Sequence, residues 1–139
     1  MKKFDLNIDN LNLKDKNTWD LLCSGQSLGV FQLDSHLGQS TCKKVRPRNI
    51  KELADVITLI RPGCLEAKLE DGNNILEHYV ARKHKAEEPT SLHPALDDIL
   101  GKTHHLLLFQ EQAILISQKI AGFSLEKADE LRKILGKKL

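Results

Sequence analysis

The sequence has 139 residues, 40% hydrophobic and 29% charged, with a formal net charge of +2 from 21 basic and 19 acidic side chains. A chain of this size can bury roughly two-thirds of its unfolded surface, so it can hold a core without disulfides or metal. No apolar run approaches the ~20 residues a membrane span needs, Met1 to Asn7 has no signal-peptide core, and one Trp, one Tyr and four Phe are too few for an aromatic platform that stacks single strands.

Helical periods dominate, so the expected fold is mainly α: a compact multi-helix domain over 1–139, with 1–14 as a lead-in and at most short strands near 28–33 and 104–109. Asp15 to Cys23 reads as a short helix capped by Asp15 and stopped near Gly25. Leu28 to Leu33 is a brief apolar run, more strand than helix. Asn49 is an N-cap with Glu52 as its capping-box partner. Leu53, Val56, Ile57 and Ile60 then form a buried stripe at helical spacing. Arg61-Pro62-Gly63 ends that helix, because the residue before proline leaves the α region. Asp71-Gly72-Asn73-Asn74 is a turn. Ile75, Leu76, Tyr79 and Val80 open another helix, whose last turn carries Arg82, Lys83, His84 and Lys85, as the helix dipole favours. Glu87 to Ser91 is a linker, and a helix through Ala95, Leu96, Ile99 and Leu100 stops at Gly101. His104 to Phe109 reads as extended. Gln110 to Ala121 is helical and closed by Gly122, and Ser124 caps a last helix ending at Gly136. Leu125, Ala128, Leu131 and Leu135 line its apolar side.

Charge is clustered. Twelve of the 21 cations fall in three short segments: Lys43, Lys44, Arg46, Arg48 and Lys51; Arg82, Lys83 and Lys85; and Arg132, Lys133, Lys137 and Lys138. These are either solvated faces or local phosphate contacts. On a wheel of 100° per residue from Leu125, the apolar side chains span about 180° to 360°, Arg132 lies at about 340° and Lys133 at about 80°. An Arg on an apolar edge either snorkels, pairs with an acid on another helix, or aims its planar fork at phosphate. Gln110 and Gln112 flank Glu111 just after Phe109; Gln110 falls on the apolar face of its own helix, and as helix-start residues the two glutamines can satisfy free N–H groups. The acid pairs Glu87-Glu88 and Asp97-Asp98 sit on surface-like segments and read as solvated. His104 and His105 are adjacent and point apart, the three cysteines form no CxxC pair, and no metal site is expected. The cysteine pattern fits a reducing cytoplasm. No catalytic set emerges.

Five ordered blocks nevertheless form a pattern. They are Gly29-Val30-Phe31-Gln32-Leu33-Asp34-Ser35; Leu59 to Gly63; Tyr79 to His84; Phe109-Gln110-Glu111-Gln112; and Ala121 to Leu125 followed by Ala128 to Lys138. From about Ile8 to Leu139 the chain resembles the fingers portion of the bacterial replicative DNA polymerase III alpha subunit, a C-family polymerase. The last block is similar to that family's RRAMGKK motif, whose two leading basic residues contact the incoming triphosphate and match Arg132 and Lys133. The chain departs from the family at Lys133 (Arg there), at His104-His105 (Tyr-Gly), at Leu37-Gly38 (Gly-Met) and at Cys64 (Pro).

The resemblance implies a fingers-type domain whose residues 104–139 bind nucleotide. Its triphosphate-binding candidates are Arg132, Lys133, Lys137 and Lys138. Candidate DNA contacts are Lys43, Lys44, Arg46, Arg48, Arg82 and Lys83. Gln110, Glu111, Gln112 and Arg61 are motif positions of unknown role. The implied partners are dNTP, primer–template DNA, and the palm and remaining polymerase domains, in cis or as another chain, with no membrane. Lys3-Phe4-Asp5 is similar to a palm motif, but Ile8-Asp9-Asn10-Leu11 aligns better with the run just before the fingers. The palm aspartates thus have no counterpart, no catalytic or metal-binding residue is assigned, and this chain alone is expected neither to bind a cofactor nor to polymerise. Mg2+ is expected in the complete polymerase. The setting is a bacterial cytoplasm, or a viral protein in a bacterial host. The alternatives are a non-enzymatic module that binds DNA or a polymerase, and a degenerate remnant of a split gene.

Overall fold

The computed structural model describes residues 7–136, and among them it shows eight α-helices, three short 3-10 turns and no strand. The mainly α expectation therefore holds. Lys3-Phe4-Asp5, Lys137 and Lys138 lie outside the described residues. Contacts divide the chain into two units, Met1–Val56 and Ile57–Leu139.

In the first unit, α1 (Lys16–Ser24) starts where expected: the Asp15 carboxylate accepts the Thr18 N–H at 2.8 Å, and Gly25 closes the helix in the left-handed region at φ 71°. A Cβ at Gly25 would lie 2.9 Å from the Gln39 carbonyl oxygen and 2.5 Å from the Lys43 side chain, so both conformation and space require glycine there. Leu28 to Leu33 is not a strand. It is a series of turns with Gly29 at φ 78° and Gln32 at φ 64°, tied by Val30 N–H to Ser27 O and Leu33 N–H to Val30 O. The buried Ser27 hydroxyl donates to Leu33 O at 2.6 Å and fixes the coil from inside. Those turns deliver the chain to α2 (His36–Val45), where Ser35 caps the Gly38 N–H at 3.1 Å. A helix here is absent from the sequence reading, because His36 to Thr41 has no apolar period. Gly38 lies so close to Leu33 that a Cβ would meet its Cα at 2.8 Å. α1 packs on α2, and Trp19, Leu22, Leu33, Cys42 and Val45 are buried.

α3 (Ile50–Leu59) carries the boundary between the units. Asn49 caps it through the Glu52 N–H at 3.0 Å, but the Glu52 carboxylate reaches back to the Arg48 N–H at 2.8 Å, one residue earlier than the expected box. Val56 and Leu59 are fully buried, and each such side chain stabilises a fold by about 1.5–3 kcal/mol. Leu53, Ile57 and Ile60 of the expected stripe are only half-buried. Pro62 does end the helix, but it also opens α4 (Pro62–Glu66), where its fixed φ and missing N–H suit the first turn.

The second unit continues with α5 (Ile75–Lys83). Its start is a full capping box: Glu77 N–H donates to Asn74 Oδ1 at 2.9 Å, and Asn74 N–H to Glu77 Oε2 at 2.8 Å. The next helical stretch is three pieces: a 3-10 turn at Pro94–Leu96, α6 (Asp97–Leu100), which stops at its C-cap Gly101 as expected, and a second 3-10 turn through Gly101–Thr103. His104 and His105 both adopt φ above +50°, an uncommon pair for non-glycine residues, and they turn the chain into the unpaired segment Leu106 to Leu108. α7 (Gln110–Ala121) and α8 (Leu125–Gly136) keep the expected bounds and pack together across Gly122, φ 64°. The expected apolar side of α8 is buried only at Ala128; Leu125 and Leu135 are more than 60% exposed. The apolar arc covers half the wheel, and one small contact residue brings α7 against only part of it.

Candidate functional site

Arg132 and Lys133 share one carboxylate. Asp129, one turn back on α8, accepts Arg132 Nε at 2.8 Å on Oδ1 and Lys133 Nζ at 2.8 Å on Oδ2. Hydrogen bonds from Lys133 and then Arg132 hold the Asp129 carboxyl below its usual range. The acid partner of Arg132 is thus on its own helix, not on another. The second anchor comes from α7: Gln110 Oε1 accepts Arg132 Nη1 at 2.9 Å. The third guanidinium nitrogen, Nη2, has no hydrogen-bond partner among the described residues. Arg132 is half-buried and Lys133 exposed. Beside them lies a cavity of about 490 Å³, lined mainly by apolar groups including Cys64, Ile75, Leu108 and Phe109, with Gln110 and Arg132 among its walls.

Of the two glutamines at the start of α7, Gln112 takes the expected helix-start role, while Gln110 bonds Arg132. Gln112 is buried, and its Oε1 accepts both Leu108 N–H and Phe109 N–H at 2.9 Å. Its Nε2 donates to Thr103 Oγ1 at 2.8 Å and to Ile99 O at 3.2 Å. Glu111 faces solvent, and Arg61 is the exposed N-cap residue of α4.

The other basic candidates fall into two kinds. In the first unit, Lys43 and Lys44 stand exposed in the last turn of α2, Arg46 follows in the left-handed region at φ 53°, and Arg48 pairs with Asp20, which Lys16 also reaches. In the second unit, Arg82 turns inward. Its Nε donates to Glu87 Oε1 at 2.6 Å and its Nη1 to His104 O at 3.0 Å, and its side chain is 9% exposed. His78, also buried, lies between Glu87 Oε2 at 2.8 Å and Asp71 Oδ1 at 3.1 Å. Lys83 is half-buried. Burial raises the Glu87 carboxyl, but hydrogen bonds from Arg82 and His78 outweigh it, and the net shift is downward.

The acid pairs are therefore not simply solvated. Glu87 is the hub of this cluster, Asp98 accepts Lys119 Nζ at 2.7 Å, and Asp97 takes the Ser91 hydroxyl. Asp129 was legible in principle, since i,i+3 and i,i+4 acid–base pairs face each other on a helix. Glu87 carries no such signal, because it lies beyond the helix end. Among the described residues no group of three or more His, Cys, Asp or Glu gathers as a metal-ligand set, and no helix is long and apolar enough to cross a membrane.

Residues 1–139 match the family model of the bacterial DNA polymerase III alpha subunit finger domain. The DNA polymerase III subunit alpha of Mycobacterium leprae is 37% identical over 138 residues, covering 96% of this chain and 11% of that protein. The subunit of the same name from Staphylococcus epidermidis is 36% identical over 141 residues, covering 98% of this chain and 12% of the relative. An error-prone DNA polymerase of Symbiobacterium thermophilum is 36% identical over 131 residues, covering 94% and 12%. The chain thus spans about an eighth or less of the length of these relatives. It belongs to the finger-domain family of the bacterial DNA polymerase III alpha subunit.

Proposed function

We propose that this finger domain binds the triphosphate of an incoming deoxynucleotide during DNA replication, with Arg132 as the principal contact and Lys133 as the second cation. One observation carries the reading: Arg132 is braced at two nitrogens while its third, Nη2, is left without a partner among the described residues. A guanidinium held this way presents directed donors to phosphate oxygens, and little of its freedom is lost on binding. Lys133 adds a mobile point charge one residue away, and Lys137 and Lys138 extend the same basic run. Lys43 and Lys44 at the end of α2, with Arg46, Arg48 and Lys83, are proposed to meet the phosphate backbone of primer–template DNA. Arg82 has its bonds committed inside the fold and is not among these proposed contacts.

Phosphoryl transfer needs divalent ions held by carboxylates. The described carboxylates are poorly suited to hold them, since Asp129, nearest the candidate site, is already shared by two cations. No metal step is assigned to these residues. The palm and remaining polymerase domains, in cis or on another chain, are proposed to supply the carboxylates and Mg2+, in a bacterial cytoplasm. The test is a dATP titration of this chain. Arg132→Ala should weaken binding at least tenfold, as expected for a lost charge-assisted hydrogen bond of about 1.5–3 kcal/mol. Unchanged affinity in the Arg132→Ala, Lys133→Ala double variant overturns the reading.

A further inference from the structure

We infer that the two glutamines of the Phe109 to Gln112 segment are positioning residues for Arg132: Gln112 pins the start of α7, and Gln110 transmits that position to the guanidinium. The inference rests on Arg132 being the triphosphate contact.

The chain of contacts is continuous. The Thr103 hydroxyl, itself donating to Leu106 O at 2.7 Å, accepts from Gln112 Nε2 at 2.8 Å. Gln112 Oε1 then gathers the two N–H groups that precede the helix, those of Leu108 and Phe109. Such groups have no partner within a helix, so a buried amide that collects both fixes where the helix begins. Its four hydrogen bonds use both the oxygen and the nitrogen of the carboxamide, and neither a carboxylate nor a hydrocarbon of the same size can make them all. Gln110 is the first residue of the helix so fixed, and its Oε1 lies 2.9 Å from Arg132 Nη1.

The choice of an amide at 110 has a charge argument. Asp129 already offsets one of the two cations. A carboxylate at 110 would offset the other and leave the Arg132–Lys133 pair with no net charge. Glutamine orients the guanidinium without neutralising it. Position 110 is also exposed, so changing it should alter the site without disturbing the core.

The experiment pairs dATP titration with NMR of the Arg132 side chain. Gln110→Met keeps length but lacks the acceptor. It should weaken dATP binding by about three- to tenfold, the worth of one hydrogen bond to a charged group, with the thermal midpoint unchanged. In an Arg132→Ala background, Gln110→Met should cost nothing further, which a merely structural residue would not show. Without ligand, rotation about the Arg132 Nε–Cζ bond should be hindered in wild type and faster in Gln110→Met. If Arg132→Ala weakens dATP binding but Gln110→Met does not, or if Gln110→Met weakens it equally in both backgrounds, the positioning role is overturned and the functional reading survives. If wild type does not bind dATP, or Arg132→Ala has no effect, the functional reading falls and this inference with it.

Discussion

Two acid–base clusters in the second unit use the same residue types to opposite ends. Around α5, Arg82, His78, Glu87 and Asp71 close on one another, and the two basic side chains are less than 10% exposed. On α8, Arg132, Lys133 and Asp129 stay near solvent, with a guanidinium nitrogen to spare. The difference lies in the surroundings. Arg82 has a backbone carbonyl, His104 O, as its second acceptor, and His104 stacks edge-on against buried Tyr79 with ring centroids 4.9 Å apart. Arg132 has only side chains as partners, and the apolar arc beside it is largely uncovered. Sequence clustering of cations therefore does not separate a clasp from a binding site; the nature of the second acceptor does.

Substitutions can break this contrast from either side. The largest effect on stability is expected from Glu87→Ala, which takes one partner each from Arg82 and His78 in a nearly dry setting and leaves them only His104 O and Asp71. It should destabilise the protein by about 2–3 kcal/mol, less than for a fully buried pair because Glu87 keeps some solvent, as read from urea denaturation. Arg82→Ala should lower the thermal midpoint clearly, whereas Arg132→Ala should not; equal shifts would erase the distinction between clasp and site. Acid provides a third probe. The folded Glu87 carboxyl sits below its usual range, so its stabilising contribution is complete above the unfolded value of about 4.3. That contribution is lost as pH falls through the lower folded value. Glu87→Gln should flatten the fall of the thermal midpoint with pH below about 4.3. The smallest effect is expected from Asp129→Asn. The amide oxygen can still accept Arg132 Nε while the negative charge is gone. Stability should not change measurably, and dATP affinity should rise by about two- to fivefold, the worth of removing an exposed competing charge. Weaker dATP binding in Asp129→Asn would show that the carboxylate's charge is needed to hold the cations in place.

Legibility in the sequence follows physical locality. α1, α7 and α8 can be bounded because their caps are local: Asp15 on Thr18, Gly122 and Ser124 at a reversal. The turns at Leu28 to Leu33 look extended in sequence, since an apolar run does not reveal that a buried serine will coil it from inside. α2 is invisible there because its buried stripe, Gly38, Thr41, Cys42 and Val45, is made of small or weakly apolar residues that give no strong hydrophobic period. In the site, Arg132 stands out on the wheel, as a cation on an apolar edge must find a use. Its partners are harder to see. The Gln110 contact spans 22 residues, and which of two neighbouring glutamines turns inward depends on where Thr103 and Ile99 place their acceptors. The Arg82 clasp is hidden for the same reason, because its last acceptor is a main-chain carbonyl that any residue could supply.

The four hydrogen bonds of Gln112 bear on how this domain tolerates variation. In a library covering every substitution, position 112 should be depleted under selection for folding and under selection for nucleotide binding alike, because one amide serves both. Position 110 should pass the first selection and fail the second. Two identical residues, one intervening position apart, would then sort into different classes of variant, and only Gln110 would offer a route to retune the grip on phosphate while leaving the fold intact.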